Sequence, residues 1–254
     1  MRRIQIRSCN CHFTADTHFS HGNIMKYCHR PFLCPIDAEE LKRRGGRWHH
    51  GFWKSANDDW VISKESLQIM EDHLVAQINL TVPRDDHLFI VGDFSIARRD
   101  QTSYFENCNR ILHRINCKHI HIVWGNHDDT VIYPLFETNG DQLRIDFTDL
   151  KQGNTKHPQS LFLNHYCQMV WDKSHRGAWH GYGHSHSGIE EALDRLMPGR
   201  RSMDFGVDNA VKILGEYRPF TGLEVANILK LRPGYAITQF MPLNVDTPPE
   251  SESP

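Results

Sequence analysis

The sequence lacks any apolar run approaching the roughly 20 residues that a membrane-spanning helix needs, and it therefore predicts no integral membrane protein. The N-terminal residues include basic side chains but no apolar segment of a secretory signal, so we expect a cytoplasmic protein. The seven cysteines are an odd number in a chain long enough to fold without disulfides, which favours reduced thiols. With a formal net charge of −2, the chain also lacks the overall positive charge typical of nucleic-acid-binding proteins.

The composition is that of a globular protein that is rich in histidine. The chain has 254 residues, of which 39% are hydrophobic and 24% charged, and this length is near the upper limit for one hydrophobic core. We expect a single domain over residues 1–246 and a polar, disordered tail over residues 247–254. Histidine occurs 18 times, and several of these histidines fall in short blocks with aspartate or asparagine.

Five such blocks recur along the chain in a fixed order. They are Asp16-Thr17-His18, Gly92-Asp93, Gly125-Asn126-His127-Asp128, Asn164-His165 and Gly183-His184-Ser185-His186. Their oxygen and imidazole groups are ligands that divalent metals such as Mn²⁺, Fe²⁺, Zn²⁺ or Mg²⁺ accept. Taken alone, each block is equally well explained by a turn or by an ordinary buried histidine. The ordered set predicts a hydrolase site that holds two metal ions.

Apolar runs before the blocks indicate how these side chains are held. Residues 88–91 form a continuous apolar run before the second block, and residues 120–124 and 161–163 lead into the third and fourth. Such runs are typical of strands buried on both faces. They place four of the five blocks at the C-terminal ends of strands, where open α/β sheets bind their ligands.

Helical signals lie between and after these strands, so the whole pattern predicts an α/β protein. Apolar residues recur with helical spacing over residues 63–79 and 104–115. The sequence Thr221-x-x-Glu224 is a capping box that predicts the start of a further helix. Residues 235–240 predict a last strand.

Residues 35–59 form a polar, basic segment with tryptophans in it or beside it. The basic residues are Arg43, Arg44, Arg47, His49, His50 and Lys54, and the tryptophans are Trp48, Trp53 and Trp60. Two interpretations remain open. The segment is either a surface insertion whose aromatic side chains pack on the main core, or a basic flap over the active-site rim that contacts an anionic substrate.

Phosphate-ester hydrolysis explains why two metals and a carboxylate would be placed together. The reaction needs a nucleophile at neutral pH and neutralisation of the charge that develops on the phosphoryl group. Two metals roughly 3.5–4 Å apart supply both, and a bridging carboxylate holds two cations at such a separation. Asp93 is the best candidate for the bridge, because it follows a buried strand and a glycine that allows a tight turn.

The ordered blocks resemble the D-x-H, G-D, G-N-H-[DE], H and G-H-x-H pattern of the calcineurin-like metallophosphoesterases, from about residue 13 to about residue 240. The stretch from Asp16 to Ile24, followed by Arg30-Pro31-Phe32, is similar to small, largely uncharacterised bacterial and phage members. This resemblance implies two facing mixed β-sheets flanked by helices, as a four-layer α/β/β/α sandwich. It also implies a phosphatase or phosphodiesterase in which a metal-bridging hydroxide attacks a phosphomonoester or phosphodiester in line. A nucleotide or cyclic nucleotide is a candidate substrate.

The resemblance also implies a role for each residue of the blocks. The first metal would be bound by Asp16, His18, Asp93 and His186, and the second by Asp93, Asn126, His165 and His184. His127 corresponds to a catalytic histidine beside the leaving group, and Asp128 would orient its imidazole. Mn²⁺ is the expected metal, with Fe, Zn, Ni or Mg as alternatives. Arg30 is expected to bind the phosphate as a bidentate donor, and His21 to line the rim beside His18.

Other functions of this superfamily are weighed against the same residues. Phe94-Ser95-Ile96 replaces the Asp-Arg-Gly that follows the second block in protein Ser/Thr phosphatases, and Asp128 replaces their glutamate, which argues against a phosphoprotein phosphatase. A nuclease acting on DNA or RNA is an alternative, because DNA-repair nucleases share the third and fifth blocks. The near-neutral charge argues against it. An inactive protein-binding scaffold is a further alternative, but here no predicted ligand is missing.

Overall fold

The computed structural model describes residues 1–48, 59–96 and 100–232. The predicted strand over residues 235–240 and the predicted tail over residues 247–254 lie outside these ranges. So do residues 49–58, and with them His49, His50, Trp53 and Lys54 of the basic segment.

The described residues form two five-stranded mixed sheets flanked by helices. The strands are β1 (Arg2–Ile6), β2 (Cys11–Thr14), β3 (His87–Val91), β4 (His119–Val123), β5 (Thr138–Gly140), β6 (Gln142–Lys151), β7 (Pro158–Asn164), β8 (Trp179–Tyr182), β9 (Ser202–Asp204) and β10 (Phe220–Thr221). The helices are α1 (Gly22–Cys28), α2 (Pro35–Arg43), α3 (Lys64–Thr81), α4 (Gln101–Leu112), α5 (Glu190–Leu196), α6 (Val207–Leu214) and α7 (Gly222–Leu231). The predicted α/β class, with two mixed sheets and flanking helices, is confirmed.

Each sheet combines parallel pairs with one antiparallel pair. The first sheet has the order β1-β6-β7-β8-β9, and only its β6–β7 pair is antiparallel among the described strands. The second has the order β10-β2-β3-β4-β5, and here β10 runs antiparallel to β2. The parallel strands β2, β3 and β4 therefore end at one edge of the second sheet.

Strand β3 shows why a continuous apolar run predicts a strand that is covered on both faces. Leu88 and Ile90 belong to an apolar cluster that also contains residues of α1, α3 and α4. Phe89 and Val91 point the other way, into a cluster that they share with strands of the first sheet and with α6 and α7. Since side chains alternate along a strand, the second sheet lies between helices on one face and the first sheet on the other.

The predicted helices are present, with small differences at their ends. Helix α3 begins after Ser63, whose hydroxyl accepts the backbone N–H of Ser66, and it buries an apolar face. Helix α4 ends at Leu112, three residues before the end of the predicted pattern, and α7 begins with the predicted capping box of Thr221 and Glu224. No helix in the described ranges combines the length and the apolar composition needed to cross a membrane.

The described part of the basic segment packs on the core. Residues 35–43 form α2, and the indole of Trp60 is buried and donates a 2.9 Å hydrogen bond to Asp37. Trp48 stacks on Trp60, with ring centroids 6.2 Å apart, and the guanidinium of Arg44 lies over the Trp60 ring. These contacts are the ones that the surface-insertion interpretation predicts.

Candidate metal centre

Each of the five blocks begins within two residues of the C-terminal end of a strand, and the blocks meet at neighbouring strand ends of the two sheets. The first three blocks come after β2, β3 and β4, and the fourth begins with the last residue of β7. The fifth block follows β8, a four-residue strand that the sequence did not predict. Hydrogen bonds join the first two blocks, because the backbone N–H of His18 donates to the carbonyl of Asp93 at 3.0 Å.

The predicted ligands form two adjacent groups, with Asp93 between them. In the first group, ligand-type atoms of Asp16, His18 and His186 lie within 4.8 Å of one another, and in the second those of Asp93, His165 and His184 do.

One oxygen of Asp93 connects the two groups. Oδ2 of Asp93 lies 3.4 Å from Nε2 of His18 on one side and 3.5 Å from Nε2 of His165 on the other. Oδ1 of Asn126 lies 3.1 Å from the same nitrogen of His165. The structure thus brings all seven predicted metal ligands together.

The ring of His18 shows that these residues fit a divalent cation. His18 is buried, and its Nε2 atom has no hydrogen-bond partner among the described residues. Burial, and then the charge of Arg30, lower the pKa of His18 well below its ordinary value, so its imidazole is neutral at neutral pH. A buried polar atom without a partner costs about 1–3 kcal/mol, and a cation that accepts the nitrogen lone pair removes this cost. The surrounding carboxylate, amide and imidazole groups suit Mn²⁺, Zn²⁺ and similar ions.

The backbone adopts an uncommon conformation at five of the seven predicted ligands. Their φ angles lie between +47° and +67°, in the left-handed region that few residues other than glycine occupy. These residues are Asp16, His18, Asp93, His184 and His186. Such conformations persist only where the surrounding structure enforces them, and they cluster at functional sites.

Two glycines of the blocks are required by the close approach of the ligands. A Cβ atom at Gly92, where φ is +85°, would lie 2.2 Å from Nδ1 of His165. A Cβ atom at Gly125 would lie 2.1 Å from Oδ1 of Asp93. Neither contact is sterically possible, so both glycines allow the histidine and the carboxylate to reach the centre.

Hydrogen bonds on the outer side of two histidines orient their rings. Nδ1 of His165 lies 2.9 Å from the carbonyl oxygen of Val91 and donates to it, which turns Nε2 toward Asp93 and Asn126. Nδ1 of His186 lies 2.7 Å from Oδ2 of Asp208 in the same manner. Although burial lowers the pKa of His165, its bond with Asp93 and the charge of Asp16 raise it to about 9. The carboxylates around the His165 ring therefore favour a positive charge at its position, either as a proton or as a metal ion.

Arg30 has a different place from the predicted one. Its side chain is fully buried, and its guanidinium donates to both carboxylate oxygens of Asp208, at 2.9 and 2.8 Å. It also donates to the backbone carbonyls of Thr17, at 3.0 Å, and Asp16, at 2.7 Å. The expected contact between Arg30 and a phosphate therefore does not agree with the structure. A buried guanidinium needs internal partners for its charge, and Arg30 holds both Asp208 and the first block.

Asp128 is also placed differently from the expectation. Its carboxylate accepts the backbone N–H groups of Asp93, Phe94 and Gly125, at 2.8, 3.0 and 2.9 Å. The imidazole of His127 is not a partner of this carboxylate, and both residues belong to the described chain. Asp128 therefore fixes the loop after β3 against the loop after β4, and it does not orient the His127 ring.

His127 and His21 lie near His18 where the centre opens to solvent, because both residues are only half-buried. The ring centroid of His127 is 5.3 Å from that of His18 and 6.1 Å from that of His21, and both residues are half-buried. The backbone N–H of His127 donates to Oδ1 of Asp93 at 2.9 Å. On the other side of the opening, the exposed ring of Tyr166 lies 4.8 Å from that of His184.

Two buried carboxylates that support the centre were missed by the sequence analysis. Asp208 orients His186, and Asp204 accepts bonds from the hydroxyl of Ser185 at 2.7 Å and the backbone N–H of Ser187 at 2.8 Å. Both lie in the sequence Asp204-Phe205-Gly206-Val207-Asp208, at the end of β9 and the start of α6. The only sign of these carboxylates in the sequence is that two acidic residues stand next to apolar ones in this stretch.

Comparison with known proteins supports the fold and does not identify the function. A crystal structure of a protein of unknown function from Aquifex aeolicus superposes with a TM-score of 0.51 and 16% sequence identity. The match covers 86% of this chain and 98% of that one. No protein-family model and no curated protein matches the chain. At this identity the likeness concerns the fold alone, so the functional argument depends on the geometry of the site.

Proposed function

We propose that this protein is a dinuclear metal-dependent phosphoesterase of the calcineurin-like type. The observation that carries the proposal is the position of Asp93, whose Oδ2 atom faces His18 on one side and His165 on the other. A single carboxylate between two groups of nitrogen and oxygen ligands is the arrangement that a pair of bridged cations requires. The positive φ angles of five predicted ligands and the unpartnered nitrogen of His18 support it independently.

The same proposal extends to the finer description of the fold. We assign the two sheets and their helices to the four-layer α/β/β/α sandwich of this superfamily. Support comes from the two apolar clusters, one between the second sheet and its helices and the other shared by both sheets. We also assign the activity to the cytoplasm, because all seven cysteines are unpaired, as a reducing compartment favours.

The residues of the site divide into ligands and residues that act on the substrate. Asp16, His18 and His186 would hold one cation and Asn126, His165 and His184 the other, with Asp93 shared. Two divalent cations bound there, Mn²⁺ in the first instance, would acidify water and neutralise charge on the phosphoryl oxygens.

We assign to His127 the donation of a proton to the leaving group. Its ring lies beside His18 at the opening of the centre, and its backbone is fixed by the bond to Asp93. A positioned imidazole is the commonest general acid in enzymes.

The opening of the site supports a small phosphorylated substrate such as a nucleotide or cyclic nucleotide. Tyr166 presents an exposed aromatic ring at one side, on which a nucleobase can stack, and His21 lies at the other. The formal net charge of −2 gives no support to the nuclease alternative, which would require extended contact with a polyanion. The complete ligand set argues against an inactive scaffold.

A hydrolysis panel tests this function. The chain is loaded with Mn²⁺ and assayed on a phosphomonoester, a phosphodiester and the 2′,3′- and 3′,5′-cyclic nucleotides. We expect metal-dependent hydrolysis of at least one class, and its loss in Asp93→Ala. Asp146→Ala is the matched control, since it removes a buried carboxylate of the first sheet that contacts Arg144 and Ser160. The absence of metal-dependent hydrolysis on every class, or equal activity of Asp93→Ala and the control, would contradict the proposal.

A further inference from the structure

A second group of histidines lies at the opposite end of the second sheet. His87 and His119 are paired in register at the first positions of β3 and β4, and His121 follows two residues later on the same face. Their rings lie close together, with centroids of His87 4.6 Å from His119 and 5.2 Å from His121. His87 and Asp93 are six positions apart along strand and loop, which corresponds to roughly 20 Å along the chain. This histidine cluster is therefore separate from the predicted metal centre.

The face on which these histidines lie is otherwise apolar. The next residues along the strands on this face, Phe89 and Val123, belong to the apolar cluster shared by both sheets. His121 itself is buried against the ring of Phe89, at a centroid distance of 4.6 Å. Imidazoles are polar groups that need partners when they are buried, so their clustering on an otherwise apolar face calls for an explanation.

Nitrogen and oxygen atoms converge within the cluster. Nδ1 of His87 lies 2.9 Å from Nε2 of His121, so these two atoms can share either a proton or a cation. Ligand-type atoms of His87, His121 and Glu137 all lie within 4.8 Å of one another. Tetrahedral zinc with N and O ligands at 2.0–2.2 Å places them roughly 3.4 Å apart, so small side-chain rotations suffice.

The side chains around the histidine cluster orient one of its ligand atoms and leave it open to solvent on one side, as a metal site requires. Nδ1 of His119 lies 2.6 Å from a carboxylate oxygen of Glu137 and orients it, as outer partners of metal ligands do. Phe89 covers the buried side, whereas the side chains of His119 and Glu137 are 37% and 47% exposed and give an ion access from solvent.

We propose that His87, His121 and Glu137 bind a single divalent cation of the zinc type, distinct from the predicted pair at Asp93. Two imidazoles and one carboxylate favour Zn²⁺, Ni²⁺ or Cu²⁺ over Mg²⁺ or Ca²⁺. Such an ion would tie the start of β3 to β4 and to the segment before β5.

The experiment counts zinc in untagged, full-length chains. Each variant is incubated with excess Zn²⁺, freed of unbound ion and analysed for zinc per chain. His121→Gln is compared with His12→Gln, which replaces another buried histidine, one that is bonded to Asp86. His12 is paired in register with Leu88, on the other face of the same sheet. We expect one zinc fewer in His121→Gln than in His12→Gln.

A second pair of variants keeps the test decisive if His121→Gln does not fold. Glu137→Gln is compared with Glu106→Gln, an exposed glutamate of α4, by calorimetric titration with Zn²⁺. Loss of the carboxylate ligand should weaken one binding event by at least about tenfold, while hydrolysis at the predicted centre stays unchanged. Equal zinc counts and equal affinities in both pairs would show that the histidines only share hydrogen bonds. None of these variants changes the predicted centre at Asp93, so any ions bound there contribute equally to every measurement. The difference between variants can therefore be interpreted even if the proposed function fails.

Discussion

Replacing Asp208 with asparagine tests whether the contacts behind the metal ligands control metal binding. Asp208 accepts a hydrogen bond from Nδ1–H of His186 at 2.7 Å, and two more from Nε and Nη2 of the buried Arg30. Burial raises the pKa of Asp208, but the charges of Arg30 and His186 hold it below its usual range, so the carboxylate is ionised at neutral pH. Asp208→Asn keeps the shape and removes the charge that orients His186.

The expected size of the effect follows from this geometry. Loss of an outer partner of a ligand typically costs 10–100-fold in metal affinity, or about 1.4–2.7 kcal/mol. Removing one partner of a buried ion pair costs about 3–5 kcal/mol of folding stability, and the retained amide oxygen should keep the loss below this range. We therefore expect weaker Mn²⁺ binding at one of two sites, and hydrolysis that recovers at higher Mn²⁺ concentration.

Calorimetric titration with Mn²⁺, together with thermal unfolding, separates these two effects. Asp146→Asn is the control, because Asp146 is likewise buried and bonded to Arg144. It should lower the melting temperature without changing the affinity for Mn²⁺. If Asp208→Asn changes metal affinity no more than Asp146→Asn does, the proposed role of Asp208 is refuted.

Four further predictions follow from single residues. His127→Ala should retain metal and lower kcat by about 10²–10⁴-fold on poor leaving groups, with a smaller loss on nitrophenyl esters; a lost metal ion would make His127 a ligand. Asp128→Ala removes the acceptor of three backbone N–H groups and should lower the melting temperature and weaken Mn²⁺ binding together, and unchanged values of both would refute its role. Tyr166→Ala should raise KM for nucleotides but not for a small aliphatic phosphomonoester, and equal effects on both would exclude stacking. Burial lowers the pKa of His180 to about 4 from 6.5 in the unfolded chain, and its Nε2 accepts the backbone N–H of Gln168. The free energy of unfolding should therefore fall by about 3 kcal/mol as the pH falls from about 6.5 to 4. In urea unfolding, His180→Gln should show a smaller decrease of this free energy over the same pH range.

Patterns that depend on neighbouring residues could be predicted from the sequence. The apolar run before Gly92 predicts β3, because a strand buried on both faces needs continuous apolar residues. The capping box at Thr221 predicts the start of α7 for a similarly local reason. The ligands could be selected because they stand in short blocks, four of which contain a glycine or an asparagine.

Contacts between distant parts of the chain could not be predicted in this way. Arg30 and Asp208 are 178 positions apart, and nothing in the local sequence of either indicates that the other is its partner. The local sequence therefore predicts a phosphate contact for Arg30, although the burial of its side chain requires an internal acceptor. The family resemblance implies that Asp128 orients the ring of His127, whereas its carboxylate accepts backbone groups from the loop after β3. The sequence does not predict strand β8, because its residues Trp-His-Gly-Tyr form no continuous apolar run.

Electron paramagnetic resonance of the Mn²⁺-loaded protein tests the central claim most directly, because it detects whether two manganese ions share a bridge. Asp93 stands between the two ligand groups, with one oxygen facing both His18 and His165. The wild-type chain should give the signal of an exchange-coupled manganese pair, as expected for ions roughly 3.5–4 Å apart. Asp93→Ala should give only uncoupled Mn²⁺ or none. A wild-type spectrum of isolated Mn²⁺ ions, or a coupled pair that persists in Asp93→Ala, would contradict the account.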